Sequence, residues 1–237
     1  MSKSLKRLNA PKSWSIPRKE VVFTVKPSPG AHSTERGIPL LVLIREILKM
    51  ENIARDVHKI ISDKKVYVDN RVIKDYKFNV GIMDTLYFEG MDVAYRMAVD
   101  NNGRVIPYKI SSNDRQWKLD RIDNIQTIKG NRTALHMFDG RTILVDKSTK
   151  YKTGDVLKIS LPDQKILDHF RLEEGNVALI WKGKNASKVG TISKYEIIKS
   201  SMSNLIYFKE GFITTKANAY VIGKKVPEIS LPEVKVQ

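Results

Sequence analysis

Arg55 and Lys59 stand one helical turn apart, and Lys64 and Lys65 follow within six residues. Cations at that spacing share one helix face. A ridge of this kind could meet two or more phosphates, and positive charge near a helix C-terminus also suits the macrodipole. A second basic segment runs Trp181-Lys182-Gly183-Lys184-Asn185-Ala186-Ser187-Lys188, where a glycine-bearing turn carries three lysines. Its glycine permits a close backbone approach, and the lysines supply phosphate-directed charge. Lys118-Leu119-Asp120 offers a third possibility, a carboxylate beside a cation.

Other chemistries find no residues to work with. The chain has no cysteine, which excludes disulfides, thiolate nucleophiles, iron–sulfur clusters and Cys-based zinc sites. His32, His58, His136 and His169 fall one per region, without helical or short strand spacing, so no metal site or cofactor is expected. Gly183-Lys184 lacks the flanking residues of a phosphate-binding P-loop. Met1 to Lys12 is basic with no apolar stretch behind it, unlike a secretory signal. The run Leu40 to Ile44 is too short to cross a bilayer, and no basic amphipathic helix with Trp, Phe and Leu reads as membrane-seeking.

These residues need a scaffold, and 237 residues with 41% hydrophobic side chains can bury real cores. The 42 Lys and Arg against 26 Asp and Glu leave a formal charge of +16, which calls for an anionic partner. Residues 1–36 carry eight basic and two acidic side chains and four prolines, and read as an extended basic arm interleaved with Trp14 and Phe23. Residues 37–95 are balanced, nine against nine. There Ile38 to Leu48 predicts a buried helix with Pro39 in its first turn. Ile53, Val57, Ile60 and Ile61 predict a second helix, and Val66-Tyr67-Val68, Val72-Ile73 and Thr85 to Phe88 predict strands. Asn102-Gly103 and Asp139-Gly140, each between alternating segments, predict hairpins. Further strands are expected at Val156 to Ile159, Val177 to Trp181, Val189 to Ile192 and Tyr220 to Ile222, with a turn at Glu210-Gly211 and a loose tail from Lys224.

Three resemblances sharpen this. Val66-Tyr67-Val68-Asp69-Asn70-Arg71 and Val80-Gly81-Ile82-Met83-Asp84-Thr85-Leu86, behind two helices, resemble the alpha-L (S-four type) RNA-binding domain, with Asn70 in place of a turn glycine and Gly81 separated from Asp84. Gly175 to Ile192 is similar to a KOW motif, with Ser187 where relatives often carry another glycine. Asn9 to Lys19, Lys26 to Gly30, Lys74 to Phe78 and Lys152 to Leu167 resemble the archaeal and eukaryotic small-subunit ribosomal S-four-e family. Alpha-L modules are also fused to pseudouridine synthases, whose catalytic Asp lies in an Arg/Lys-Leu-Asp segment. Lys118-Leu119-Asp120 matches that much, but Arg121-Ile122-Asp123-Asn124 lacks the Thr and Gly that follow in those enzymes.

The resemblance implies a non-enzymatic structural constituent of the small ribosomal subunit, cytoplasmic, meeting its rRNA and neighbouring ribosomal proteins and no membrane or small-molecule substrate. A free RNA-binding assembly factor is the alternative. The implied fold class is α+β and multi-domain: a basic arm (1–36), a helical alpha-L module (37–95), a central all-β domain (96–172), a small SH3-like β-barrel KOW domain (173–223) and a tail (224–237). The expected rRNA-facing set is Lys3, Lys6, Arg7, Lys12, Trp14, Arg18, Lys19, Lys26, His32 and Arg36 in the arm. Arg55, His58, Lys59, Lys64, Lys65, Arg71, Lys74 and Lys77 belong to the helical module, and Lys182, Lys184, Asn185 and Lys188 to the KOW loop. Trp14 either stacks on a base or fills a protein pocket.

Overall fold

Short runs of β-branched and aromatic residues between turn formers pair into sheets through most of the chain. The computed structural model describes residues 4–130, 132–146 and 151–230. Strands make up 41% of the structure and helices 12%. The α+β expectation with a helical alpha-L module is therefore corrected: only two short helices form in 37–95, and the structure is β-rich. Two compact units divide the chain, one from Met1–Val99 with Arg104–Lys118 and the other from Asp100–Gly103 with Leu119–Gln237.

In the first unit β1 (Ser4–Lys6) pairs antiparallel with β2 (Phe23–Val25). The segment expected as an extended arm is folded from Ser4 onward. Trp14 forms a bridge to Val105, and the Val105 N–H donates to the Ser13 carbonyl at 2.8 Å. β3 (Gly37–Pro39) then leads into α1 (Leu40–Val42). Pro39 stays extended, at φ −58° and ψ 137°, so the helix starts one residue after it rather than around it. The N–H groups of Leu40 and Leu41, which lack intrahelical acceptors, donate to the carbonyls of Phe78 and Tyr76. The helix then widens into one π-type turn over Leu43–Ile47, with the Leu48 N–H donating to the Leu43 carbonyl at 2.9 Å, and Lys49 at φ 52° ends it.

α2 (Ala54–Ser62) buries Val57 and Ile61, one turn apart, while Ile53 before it is 61% exposed. The predicted apolar stripe thus loses its first member, because the chain at Ile53 is still extended. The rest of this region becomes sheet. β4 (Val66–Val68), β5 (Arg71–Val72), β6 (Asn79–Gly81), β7 (Thr85–Phe88), β8 (Ala94–Val99) and β9 (Val105–Ile110) follow. β6 pairs with β3, and the others form a sheet ordered β5-β4-β7-β8-β9. Asp69 (φ 51°) and Asn70 (φ 59°) close the β4–β5 hairpin as a two-residue turn of positive φ. Asn is a usual substitute for glycine in such a turn.

The second unit is built from two five-stranded antiparallel sheets. β10 (Trp117–Ile128), which starts in the first unit, β11 (Arg132–Met137), β12 (Thr142–Asp146), β13 (Val156–Ser160) and β14 (Ile166–Phe170) are ordered β12-β11-β10-β13-β14. Ile122, Leu135, Met137, Leu157 and Ile159 fill its core. β15 (Val177–Ile180), β16 (Val189–Glu196), β17 (Leu205–Phe208), β18 (Ile213–Thr215) and β19 (Ala219–Gly223) are ordered β18-β17-β16-β15-β19. Phe138 joins the sheets edge-on, 5.2 Å from Trp181 and 5.9 Å from Tyr220 between ring centroids, and the Tyr220 hydroxyl donates to the Leu119 carbonyl at 2.8 Å. The expected loose tail is docked as far as it is described. Ile229 is buried, Lys158 Nζ lies 2.8 Å from the Glu228 carboxylate, and the Glu228 N–H donates to the Ile222 carbonyl.

Candidate nucleic-acid interface

The cations sort into those used inside the fold and those held outside it. Arg7 turns inward: its guanidinium lies 2.6 Å from the Glu46 carboxylate and donates to the Pro17 carbonyl at 2.7 Å. Arg18 is half-buried and donates to the carbonyls of Ala10 and Pro11, which pins the chain between β1 and β2. Trp14, 2% exposed, fills a pocket, and its indole N–H donates to the Gly37 carbonyl at 2.7 Å. His32 is also buried, with Nε2 2.8 Å from Asp84. These residues were expected at the RNA face because their types fit it; in the structure each has hydrogen-bond partners within the first unit.

Lys6, Lys12, Lys19 and Lys26 are exposed, Arg36 is half-buried, and Lys3 lies outside the described residues. On α2, Arg55 and Lys59 are both exposed, as the helical spacing predicted. His58 is half-buried, edge-on to Tyr76 at 4.2 Å between centroids, and Lys77 Nζ lies over the same Tyr76 ring at 5.4 Å. The helix ends in a Schellman arrangement. The Lys64 N–H donates to the Ile61 carbonyl at 3.0 Å and the Lys65 N–H to the Ile60 carbonyl at 3.4 Å, with Lys64 at φ 59° where glycine is usual. A side chain in that conformation costs on the order of 1–2 kcal/mol. It leaves two exposed lysines at the negative end of the helix dipole. Arg71 and Lys74 continue the exposed set past the β4–β5 turn.

In the second unit the loop after β15 is held at both ends. The Trp181 indole N–H donates to the Ala217 carbonyl at 2.9 Å, and the Ser187 N–H donates to the Ile180 carbonyl at 2.7 Å. Gly183 adopts φ 105°, a backbone conformation that a residue with a Cβ avoids. Ser187 takes φ 68° and is buried, so the position where a second glycine was looked for does have glycine-like geometry. Asn185 spans the loop: its Nδ2 donates to the Ile213 carbonyl at 3.3 Å, and its Oδ1 accepts from Lys188 Nζ at 3.2 Å. Lys182, Lys184 and Lys188 point outward from this anchored turn.

Lys118-Leu119-Asp120 has no surface at which to act. Lys118 and Asp120 are each 1% exposed. Lys118 Nζ lies 2.8 Å from Asp69 Oδ2 and 2.9 Å from Asp84 Oδ1. Asp69 Oδ1 accepts the Thr85 N–H, and Asp84 Oδ2 accepts the Gly81 N–H at 2.9 Å. Burial pushes the Asp84 carboxyl upward, but His32, Lys118 and the Gly81 N–H together hold it well below the usual carboxylate range. The separation of Gly81 from Asp84 is what lets this side chain fold back onto the glycine N–H. Gly81 is also where His32 crosses: a Cβ there would overlap the imidazole. Gly81→Ala should therefore cost about 1–3 kcal/mol by overpacking, read as a lower urea midpoint with unchanged slope.

The geometry defines a β-rich basic protein of two units that ion-pairs some cations inside and displays others on a short helix and an anchored loop. The family models place it further: residues 1–35 match the RS4NT (NUC023) domain, and residues 91–166 match Ribosomal family S4e. The chain is 41% identical to the small ribosomal subunit protein eS4 of Methanothermobacter thermautotrophicus, over 97% of this chain and 96% of that one. It is 40% identical to the eS4 protein of Archaeoglobus fulgidus over 93% of each. The crystal structure of the 30S ribosomal protein S4e from Thermoplasma acidophilum superposes with a TM-score of 0.71 at 34% identity, covering 80% of this chain and 96% of that one. The chain belongs to the ribosomal S4e family, which is structural and non-enzymatic.

Proposed function

We propose that this chain is a non-catalytic constituent of the small ribosomal subunit, working in the cytoplasm, that grips rRNA through phosphate and shape contacts beside neighbouring ribosomal proteins. The observation that carries the reading is the near-full-length likeness to small-subunit proteins. The exposed cations supply the means. Phosphate contacts fix register and orientation, and a deep, narrow RNA major groove leaves little base-edge readout to side chains. In this reading Arg55, Lys59, Lys64 and Lys65 form one phosphate ridge. Lys182, Lys184 and Lys188 form a second, in a KOW domain over 173–223. Lys6, Lys12, Lys19, Lys26, Arg71 and Lys74 add diffuse attraction.

A filter-binding titration of small-subunit rRNA against salt tests the helix ridge. Arg55→Ala with Lys59→Ala should weaken binding and remove roughly 0.7–0.9 from the log–log slope per lost phosphate contact. Both side chains are exposed, so folding should be unaffected. An unchanged slope would remove the ridge from the interface. Sedimentation separates the alternatives: a structural constituent stays with small subunits through a high-salt wash, whereas an assembly factor washes off.

A further inference from the structure

The sheet of the first unit carries an aromatic stack that phosphate binding leaves unused. Tyr67 on β4 and Tyr87 on β7 are direct cross-strand partners, and their rings lie parallel, 4.6 Å apart at 8°. The Arg115 guanidinium lies over the Tyr87 ring at 4.4 Å. Two groups that close cannot share one ring face, so Arg115 and Tyr67 bracket Tyr87. The remaining face of Tyr67 looks toward β5, where its cross-strand partner is Val72. β5 is the edge strand and only two residues long, and Val72 is 38% exposed. The stack thus ends at the sheet edge on a flat ring face, above a small apolar side chain.

We propose that the outer face of Tyr67 is a stacking site for an unpaired nucleobase of RNA, the stack Arg115–Tyr87–Tyr67 being its platform. The inference rests on the RNA-binding reading above and gives that reading a second kind of contact. Every base has a π-face that an aromatic ring can receive, and bases splayed from a helix are the ones available to it. Charge around the site suits a nucleotide. Arg115 polarises the stack, and Lys65, exposed two residues before Tyr67 and so on the same face, can meet an adjoining phosphate. Glu89, two residues beyond Tyr87, is the opposing charge.

The full chain is titrated with a short single-stranded oligoadenylate and with a fully paired RNA duplex. Tyr67→Leu keeps bulk and apolarity but removes the plane. It should weaken oligoadenylate binding about 5- to 150-fold, while Tyr67→Phe stays close to wild type. Duplex binding should stay within about twofold for both, because paired bases cannot reach the ring. Equal oligoadenylate affinity in Tyr67→Leu overturns the site, and so does an equal loss for both RNAs. A wild-type chain that binds neither RNA brings down the RNA reading itself, and the site with it. A measurement on the unaltered chain guards against misfolding of the variant: a photoreactive thiouridine oligomer should crosslink at Tyr67 or its immediate neighbours. Crosslinks confined to other parts of the chain also overturn the proposal.

Discussion

Lys118→Met should destabilise the first unit by about 3–5 kcal/mol, the largest effect expected of any single substitution considered. The reason is the company the ammonium keeps. Its side chain is 1% exposed, and the two carboxylates it touches are 4% and 3% exposed. Breaking a buried pair from one side leaves the other side charged and without water, and here a single change takes the ammonium away from two carboxylates at once. Removing all the charges together is a different experiment. Lys118→Met with Asp69→Asn and Asp84→Asn should recover most of the loss, since no buried charge is then left over. Urea denaturation of the full chain checks both. If Lys118→Met moves the transition by less than about 1 kcal/mol, the knot is a surface-type pair and the argument fails.

The same knot sets an acid limb. Asp84 is held below its ordinary range in the folded chain, so the unfolded state takes up a proton first as pH falls. Its contribution is complete above the unfolded carboxyl value near pH ~4 and drains away as pH drops toward the folded value. Asp84→Asn should therefore lose stability at neutral pH and show a shallower decline in acid than the wild type.

Lys118 also shows why part of the fold was legible and part was not. Turn chemistry is local: Asn102-Gly103 and Asp139-Gly140 each lie in a hairpin connection where the alternating residues on either side had put one, and Glu210-Gly211 lies at the expected turn, which joins two strands that were not expected. The helical module failed as an expectation because its apolar run says only that a segment is buried. Pro39 remains in a strand pairing with Asn79–Gly81, and Ile53 is exposed, so the helices shrink while the β-branched and aromatic runs after Lys65 take over. The ionic knot was out of reach for another reason: it joins residues 32, 69, 84 and 118, and no spacing rule spans such separations.

That blindness distorted the charge reading as well. Residues 37–95 count nine cations and nine carboxylates, yet three of those carboxylates are matched from outside the span. Asp69 and Asp84 meet Lys118, and Glu46 meets Arg7. What the span shows to an anionic partner is accordingly more positive than its composition. Formal neutrality conceals a basic surface. The Tyr67–Tyr87 stack did have a local signal: each tyrosine sits between buried apolar neighbours in a strand, at the alternate position that faces away from them.

The second large effect is expected in salt. If six to ten of the displayed cations meet phosphates, affinity for small-subunit rRNA should fall about 10³- to 10⁵-fold between about 50 and 200 mM salt. Lys182→Ala, Lys184→Ala and Lys188→Ala combined should flatten the log–log slope by roughly 2–3. The loop should keep its shape when Lys182 and Lys184 are replaced, because Trp181, Gly183 and the Ser187 N–H hold it independently of those two lysines. Lys188 is the exception, since its ammonium also bonds Asn185 and lies over Phe212 at 5.6 Å. Lys182→Ala with Lys184→Ala therefore isolates the electrostatic effect, and adding Lys188→Ala should change slope and loop order together. A slope that stays at the wild-type value in the double variant would mean that these two lysines only solvate the loop, and the pull would have to come from the first unit. A loss confined to the double variant's slope, with the melting transition unmoved, is what an anchored loop presenting cations to phosphate requires.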